Sequence, residues 1–458
     1  MSEETYWQQG DQRTYSPLRG RRTADAVVVG GGLTGLTVAL WLCRAGLRVV
    51  LLEANTLGSG STACCLGRVS LLSGVSLSRL EKCFGQEWAS AYGSFQQNAF
   101  HTLQELSREK TASWDWQTLD DRLLGGERPR AEMDAFRKAG ISVEIETSFS
   151  SRFAEKECLL LRNMAALHPL RYLRFLARQG EKHGLCIFEH SRVVALETNL
   201  ASTERGSVQA PYIVVATGYP IVNTPGWYFL RTIQRKGCLI PLEGALSHEG
   251  MLADSDGCFA LRPVRNGTLA QLTLQRVGEF SRQPPLEQFR QQTASYLENR
   301  PSGQIFVSTE VYSADGLPYI GPYGRRTPNL FVAAAYGGQG ILGSITAAQV
   351  ISARILGLRC EGDFIFSGQR RASASRMNEL KTCFSIGAHY ASGSFRTRAP
   401  RCPHMGCRMK FNPSTRLWEC PCHGSRFDGI GHWRNGPAVH DANGTINFPR
   451  TAPKLFSI

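Results

Sequence analysis

Four cysteines and two histidines near the C-terminal end stand at spacings that suit a metal. Cys402 and His404 give C-x-H, Cys420 and His423 give C-x-x-H, and 15 residues separate His404 from Cys420. Thiolate sulfur and neutral imidazole nitrogen are ligands for iron in clusters and equally for a single zinc, so the residue types alone leave both open. A second constellation lies near the other end. Gly30, Gly32 and Gly35 form G-x-G-x-x-G directly after the apolar run Ala26 to Val29 and at the head of a helical pattern. In that context Gly30 allows a tight turn, Gly32 lets backbone approach a pyrophosphate, and Gly35 lets helix and strand pack closely. The free N–H groups of the helix start face the phosphates. Glu53, 21 residues after Gly32, stands where a carboxylate accepts hydrogen bonds from an adenosine ribose. The glycines do not choose between FAD and NAD.

Positioning these groups requires a βαβ unit: a strand Ala26 to Val29, a helix Leu33 to Ala45 and a strand Arg48 to Leu52. Residues 79 to 110 and 168 to 183 read as helices, while 141 to 160 and 255 to 275 alternate as strands do. Two further apolar runs, Tyr212 to Ala216 and Leu330 to Ala334, end in Thr-Gly and in a run of glycines, as strands do when they deliver backbone to a cofactor. The nucleotide-binding part is therefore discontinuous. Past Gly357 the pattern weakens through a Ser/Arg/Ala stretch, Ser367 to Ser375, which reads as a linker.

The 458 residues, 42% hydrophobic and 20% charged, describe a globular chain of one to three domains, not a disordered or fibrous one. No run of about 18 uncharged apolar residues occurs, which excludes an apolar membrane span. The pair Arg21-Arg22 is followed at once by Asp25 and then by glycines, so the apolar run there reads as a buried strand, not as part of an export signal. Ten of the fourteen cysteines read as reduced core thiols, which points to the cytoplasm. The formal net charge is +14, and residues 376 to 458 carry twelve Lys/Arg against four Asp/Glu. Without interleaved stacking aromatics this basic tail fits an acidic redox partner better than nucleic acid.

The segment GSGSTACCLGR, Gly58 to Arg68, resembles the flavin-contacting segment of the D-amino-acid oxidase-like (glycine/sarcosine oxidase-like) flavoproteins. MAALHPLRYLRFLA, SRVVALET, YIVVATGYP, DGLPYIGPY and NLFVAAAYGGQGILGS resemble further pieces of that family, so the resemblance spans about residues 24 to 358. It implies an α/β fold, with a Rossmann-like FAD-binding domain and a mixed α+β substrate domain. The cofactor-binding residues it implies, beyond the glycines and Glu53, are Leu33, Thr34, Ala54, Ser59, Ser61, Thr62, Val193, Val194, Ala216, Thr217, Gly218, Gly338, Gln339, Gly340 and Ile341. The implied substrate is a small amine or amino acid. Arg262, on a strand of the substrate domain, is the candidate catalytic residue to hold a carboxylate; the alternative is a structural arginine. His168, before Pro169, reads as a helix start, and no general base is visible.

The C-terminal pattern resembles Rieske [2Fe-2S] domains, in which two cysteines hold one iron and two histidines the other. Cys402, His404, Cys420 and His423 are the implied ligands, and Cys407 with Cys422 matches a disulfide between the two cluster loops. Ser425 matches a hydroxyl donor to a bridging sulfide, while Phe427 stands where high-potential members carry tyrosine, which implies a lower potential. Gly406, Gly424 and the stretch Asn435 to Ala438 match the cluster and proline loops and argue against zinc; His432 and His440 read as surface residues. Fewer residues precede Cys402 than the strands of a full Rieske domain need, so the domain is expected to be minimal. The expected division is 24–84 with 187–225 and 310–360 for the FAD domain, 85–186 and 226–309 for the substrate domain, 361–385 for a linker and 386–458 for a small all-β Rieske domain. The layout resembles bacterial fusions of these two families. It implies a relay from substrate to FAD to cluster to an external acceptor; the alternative is an electron-transfer or redox-sensing protein without a small-molecule substrate.

Overall fold

The computed structural model describes residues 5–7, 13–72, 74–109, 112–124, 129–146, 157–244, 250–255, 257–279, 287, 304–370, 373–394, 399–412 and 415–442. Its centre is a six-stranded sheet in the order Tyr319–Gly324, Thr327–Ala334, Tyr212–Gly218, Ala26–Val29, Val49–Leu52, Cys186–Phe188. All neighbours run parallel except Tyr319–Gly324, which returns antiparallel. Ala26–Val29 and Val49–Leu52 are buried at every residue, as parallel strands covered on both faces must be, and this is why they read as unbroken apolar runs. Helix Leu33–Arg44 crosses between them and packs against Gly340–Ile355 and Pro169–Lys182. A four-stranded sheet, Gly20–Thr23, Gly206–Gln209, Leu200–Thr203 and Val193–Glu197, flanks this core.

A second large sheet has nine strands. Its main path runs Phe306–Ser313, Thr232–Leu242, Gly267–Arg276, Phe259–Val264, Met251–Asp254, Gln117–Leu124, Cys158–Ala166, Arg68–Val69, with Glu144–Glu146 paired to Cys158–Ala166. The division expected at residue 310 falls inside Phe306–Ser313, which lies wholly in this sheet. At the C-terminal end Lys410–Asn412, Leu417–Glu419, Arg426–Phe427 and Trp433–Asn435 form a small antiparallel meander.

Two local expectations change. The helix read over 79 to 110 is two, Leu77–Phe84 and Gln86–Ser107, because Gly85 adopts a φ of 97° that ends the first and turns the chain into the second. Much of the segment read as a linker, together with residues beyond it, is helix Ser373–Ser394. Its Ala, Met, Leu and Lys favour helix, but it lacks the regular apolar stripe that marks an amphipathic helix in sequence.

Candidate functional site

The glycine turn comes first. Gly30 has a φ of 112°, and a Cβ there would collide with the Ala216 carbonyl of the neighbouring strand; one on Gly35 would collide with the Gly30 carbonyl. The chain can pass from strand to helix this tightly only without side chains. Helix Leu33–Arg44 starts after an extended Gly32 that offers no side-chain cap; its Leu33 N–H makes only a long 3.4 Å hydrogen bond to Thr62 Oγ1, and the first turn points its N–H groups toward an anion. Glu53 accepts the Gly31 N–H at 2.6 Å and the Asn55 N–H at 2.8 Å. Burial raises its carboxyl despite these donors. The carboxylate thereby braces the glycine turn, and its remaining lone pairs face a cavity of about 1960 Å³.

That cavity gathers most of the expected cofactor residues: Gly30, Gly32, Leu33, Thr34, Glu53, Ala54, Ser59, Ser61, Thr62, Val193, Ala216, Thr217, Gly218, Gly338, Gly340 and Ile341. Gly35, Val194 and Gln339 are not among its lining residues. Gln339 turns away and accepts a hydrogen bond from Tyr92. A glycine turn, a helix start without its own side-chain cap and a carboxylate at the strand end are the donor and acceptor set that a dinucleotide needs, so the residues fit FAD.

Arg262 does not line the cavity. It is 3% exposed, and its Nη1 donates to the carbonyls of Leu167 at 2.7 Å, Leu66 at 3.0 Å and Gly67 at 3.3 Å, under the Trp7 ring. The expected carboxylate anchor is a structural cation that ties three strand-end carbonyls together. His168 accepts the Arg171 N–H on Nδ1 at 3.3 Å, capping helix Pro169–Lys182, and burial pushes its imidazole down to about 4. Sequence reasoning missed Glu310, Tyr312 and Gln271, which cluster on the cavity wall. The signal that could have found them was a Glu and a Tyr two apart on one face of a half-polar strand.

At the C-terminal end two loops repeat one hydrogen-bond pattern. Cys402 N–H donates to the Cys407 carbonyl at 2.8 Å and Gly406 N–H to Cys402 at 2.9 Å; Cys420 N–H donates to Ser425 at 2.8 Å and Gly424 N–H to Cys420 at 2.9 Å. Gly406 and Gly424 both have positive φ, 75° and 83°, which the turn requires. The loops face each other, so that the rings of His404 and His423 lie 4.9 Å apart, and Cys402 and Cys420 are both fully buried. His404 Nδ1 and both nitrogens of His423 are buried without a hydrogen-bond partner. Burial, with His423 beside it, pushes His404 down to about 3, and burial pushes His423 down to about 4, so both rings are neutral. Unpartnered lone pairs of neutral imidazoles beside two buried thiols fit a cluster with mixed Cys/His ligation.

Cys407 and Cys422 are both free thiols in this structure, which does not show the expected disulfide. Their sulfurs lie with that of Cys420 within 4.8 Å of one another, and the thiols share hydrogen bonds with Cys420 where an S–S bond was expected. Gly436, with a φ of 100°, packs on the backbone of Gly424 and Ser425, and Ala438 N–H donates to Ser425 Oγ at 3.1 Å. His432 and His440 are exposed, as expected.

The C-terminal loops meet the middle of the chain. His404 Nε2 lies 2.7 Å from Asn223 Oδ1, Phe229 stands edge-on to both histidine rings, and Gln234 Nε2 donates to the His423 carbonyl at 2.9 Å. Arg276 donates to the Cys422 carbonyl at 2.9 Å, and a buried pair, Lys236 and Glu419, closes the seam at 2.8 Å. Trp433, Asn435, Gly436 and Ala438 line the same cavity as the glycine turn.

Known proteins agree with this layout. The family described as FAD dependent oxidoreductase matches residues 25–354, and the Rieske [2Fe-2S] domain matches residues 380–449. The Rieske 2Fe-2S iron-sulfur protein YhfW of Bacillus subtilis (strain 168) is 24% identical across 95% of this chain and 96% of its own length. Glycine oxidase of Bacillus licheniformis is 22% identical across 78% of this chain and all of its own length. The crystal structure of glycine oxidase from Geobacillus kaustophilus superposes with a TM-score of 0.64 at 18% identity, over 76% of this chain and 99% of that one. No helix of the described residues is long and apolar enough to cross a membrane.

Proposed function

We propose, from the premise that this chain belongs to the FAD dependent oxidoreductase family and carries a C-terminal Rieske [2Fe-2S] domain, that it oxidises a small amine or amino acid and passes the electrons to an external acceptor. The observation that carries this reading is the shared cavity: one wall is the glycine turn, and another is the segment that packs on the second cluster loop. FAD supplies two-electron oxidation of a carbon next to nitrogen, and a 2Fe-2S cluster carries electrons singly.

The backbone of Gly30 and Gly32 and the start of helix Leu33–Arg44 take the pyrophosphate, Glu53 takes the ribose, and Val193 borders the adenine side. Gly338, Gly340 and Ile341 border the ring side. Cys402, His404, Cys420 and His423 hold the cluster, and the Asn223 carboxamide oxygen accepts the His404 Nε2–H, which leaves Nδ1 as the ligand atom. The sheets support a division into a discontinuous FAD domain, a substrate domain and a Rieske domain, with Phe306–Ser313 and Arg68–Val69 on the substrate side. An acidic acceptor, a cytoplasmic setting and a disulfide between Cys407 and Cys422 in the cluster-loaded protein are supported by the basic tail, the cysteine usage and the Rieske resemblance. The large cavity favours an enzyme over a carrier without a substrate.

Absorbance and electron paramagnetic resonance spectra of anaerobically purified protein, with iron and zinc quantified on the same sample, test both cofactors. Flavin bands that bleach on adding glycine, sarcosine, D-alanine, L-proline or putrescine, and a dithionite-reduced signal of low average g-value, are expected. Zinc in place of iron would refute the cluster ligation. Flavin that only reduced carriers can bleach would refute the amine oxidation.

A further inference from the structure

Glu310 is a carboxylate inside the cavity whose hydrogen bonds both come from neutral groups, with Arg235 acting on it only by longer-range charge. It lies on strand Phe306–Ser313, directly across from Arg235 in register, yet its oxygens are turned elsewhere. Oε1 accepts from Gln271 Nε2, and Oε2 accepts from the Tyr312 hydroxyl at 2.6 Å. Two neutral donors hold the carboxylate in one orientation while leaving each oxygen a free lone pair. That orientation faces the ring-side loop: a Cβ built on Gly338 would stand 3.8 Å from Glu310 Oε2. The Gly337 N–H donates to the Val311 carbonyl at 2.9 Å, which fixes the loop against this strand. A cavity-facing carboxylate whose partners are both neutral is a receptor for a cation.

We propose that Glu310 is a catalytic base: it receives the ammonium of a primary or secondary amine substrate and removes one proton from it. This rests on the amine-oxidising reading above. An N–H bond of the ammonium breaks, an O–H bond forms on Glu310, and the nitrogen lone pair is released. The neighbouring C–H bond of the substrate can then break with its electron pair passing to FAD, while the nitrogen lone pair forms the C=N bond. The amine loses two electrons to become an iminium, and FAD gains them. Burial raises the Glu310 carboxyl against the lowering effect of its Tyr312 and Gln271 hydrogen bonds and of the Arg235 charge, which makes it a stronger base than an exposed carboxylate. The groups facing it are Tyr312 on its own strand, Arg235 and Cys238 on the adjacent strand, and Cys65 after the turn Ser61–Cys64. Burial pushes both thiols up to about 12 and raises the Tyr312 phenol, so none of these three groups is ionised at neutral pH.

The FAD-loaded full chain carrying E310Q tests this in two independent ways. tert-Butylammonium, which has no α-hydrogen and cannot be oxidised, should perturb the flavin absorbance of the unsubstituted protein saturably at constant ionic strength. E310Q should weaken that binding at least tenfold. With whichever of the amines bleaches the flavin, E310Q should slow anaerobic bleaching about 10²-fold or more. The deficit should shrink as the pH approaches the pKa of the amine itself, and E310D should recover part of the rate. Equal binding and equal bleaching in E310Q with its FAD retained would overturn the proposal and leave the amine-oxidising reading intact. Binding of tert-butylammonium that depends on Glu310, with no amine bleaching the flavin, would keep the cation site but overturn the oxidation and the catalytic role with it.

Discussion

Replacing Lys236 with methionine keeps most of the side-chain length and removes the charge, leaving Glu419 as a fully buried carboxylate in the seam between the C-terminal sheet and the middle of the chain. Across 2.8 Å the pair is worth about 6 kcal/mol at an effective dielectric of 20. Gly278 N–H and Asn412 Nδ2 still donate to Glu419, each at 3.0 Å, and keep part of that energy. The expected loss is therefore about 3–5 kcal/mol, the usual cost of breaking one side of a buried pair. It should fall locally on the small C-terminal sheet, because the pair joins that sheet to strand Thr232–Leu242. Native-state hydrogen exchange of the amides in Leu417–Glu419 and of Cys420, with iron per chain measured alongside, reads the local opening energy directly. The double variant K236M/E419Q removes the unpaired carboxylate but also the charge facing buried Arg426 across the sheet, so it should recover only part of the loss. A K236M loss below about 1 kcal/mol, or a double variant as weak as the sum of the two single ones, would refute the idea that this pair holds the seam.

Arg262 gives a second expectation. R262M strands three carbonyls, so thermal unfolding should show a loss of about 3 kcal/mol, while tert-butylammonium binding stays within twofold of the unsubstituted protein. The buried pair Asp315 and Arg370, 2.6 Å apart, sets an acid limit. Burial would raise the Asp315 carboxyl, but the Arg370 guanidinium outweighs it and holds the group below its ordinary value. Because the folded value is the lower one, the pair's contribution is complete above about pH 4 and is lost as pH falls through the folded value. Unfolding midpoints followed from pH 6 to pH 3 should fall more steeply in the unsubstituted protein than in D315L/R370M; equal slopes would contradict this.

The nucleotide half of the fold was legible because its signals are local. A strand buried on both faces leaves an unbroken apolar run, and a turn that tolerates no Cβ leaves glycines at fixed spacing, so Ala26–Val29, Gly30 and Gly35 could be read from a few residues. The two C-terminal loops were legible for the same reason, since Gly406 and Gly424 mark the turn and the cysteines and histidines their contents. What depends on distant partners was not legible. Arg262 looks the same in sequence whether it faces a substrate or three carbonyls that come from residues 66, 67 and 167. Glu310 acquires meaning only once Gln271 and the loop at Gly338 are folded beside it. Asn223 meets a histidine 181 positions away.

The inward turn of His404 and His423 bears on what the protein keeps. With His423 buried and His404 partly covered by Asn223 and Phe229, the docked seam screens the histidine pair from solvent. The consequence is one of retention: whatever the two rings hold should leave more slowly while the C-terminal loops stay docked against the rest of the chain.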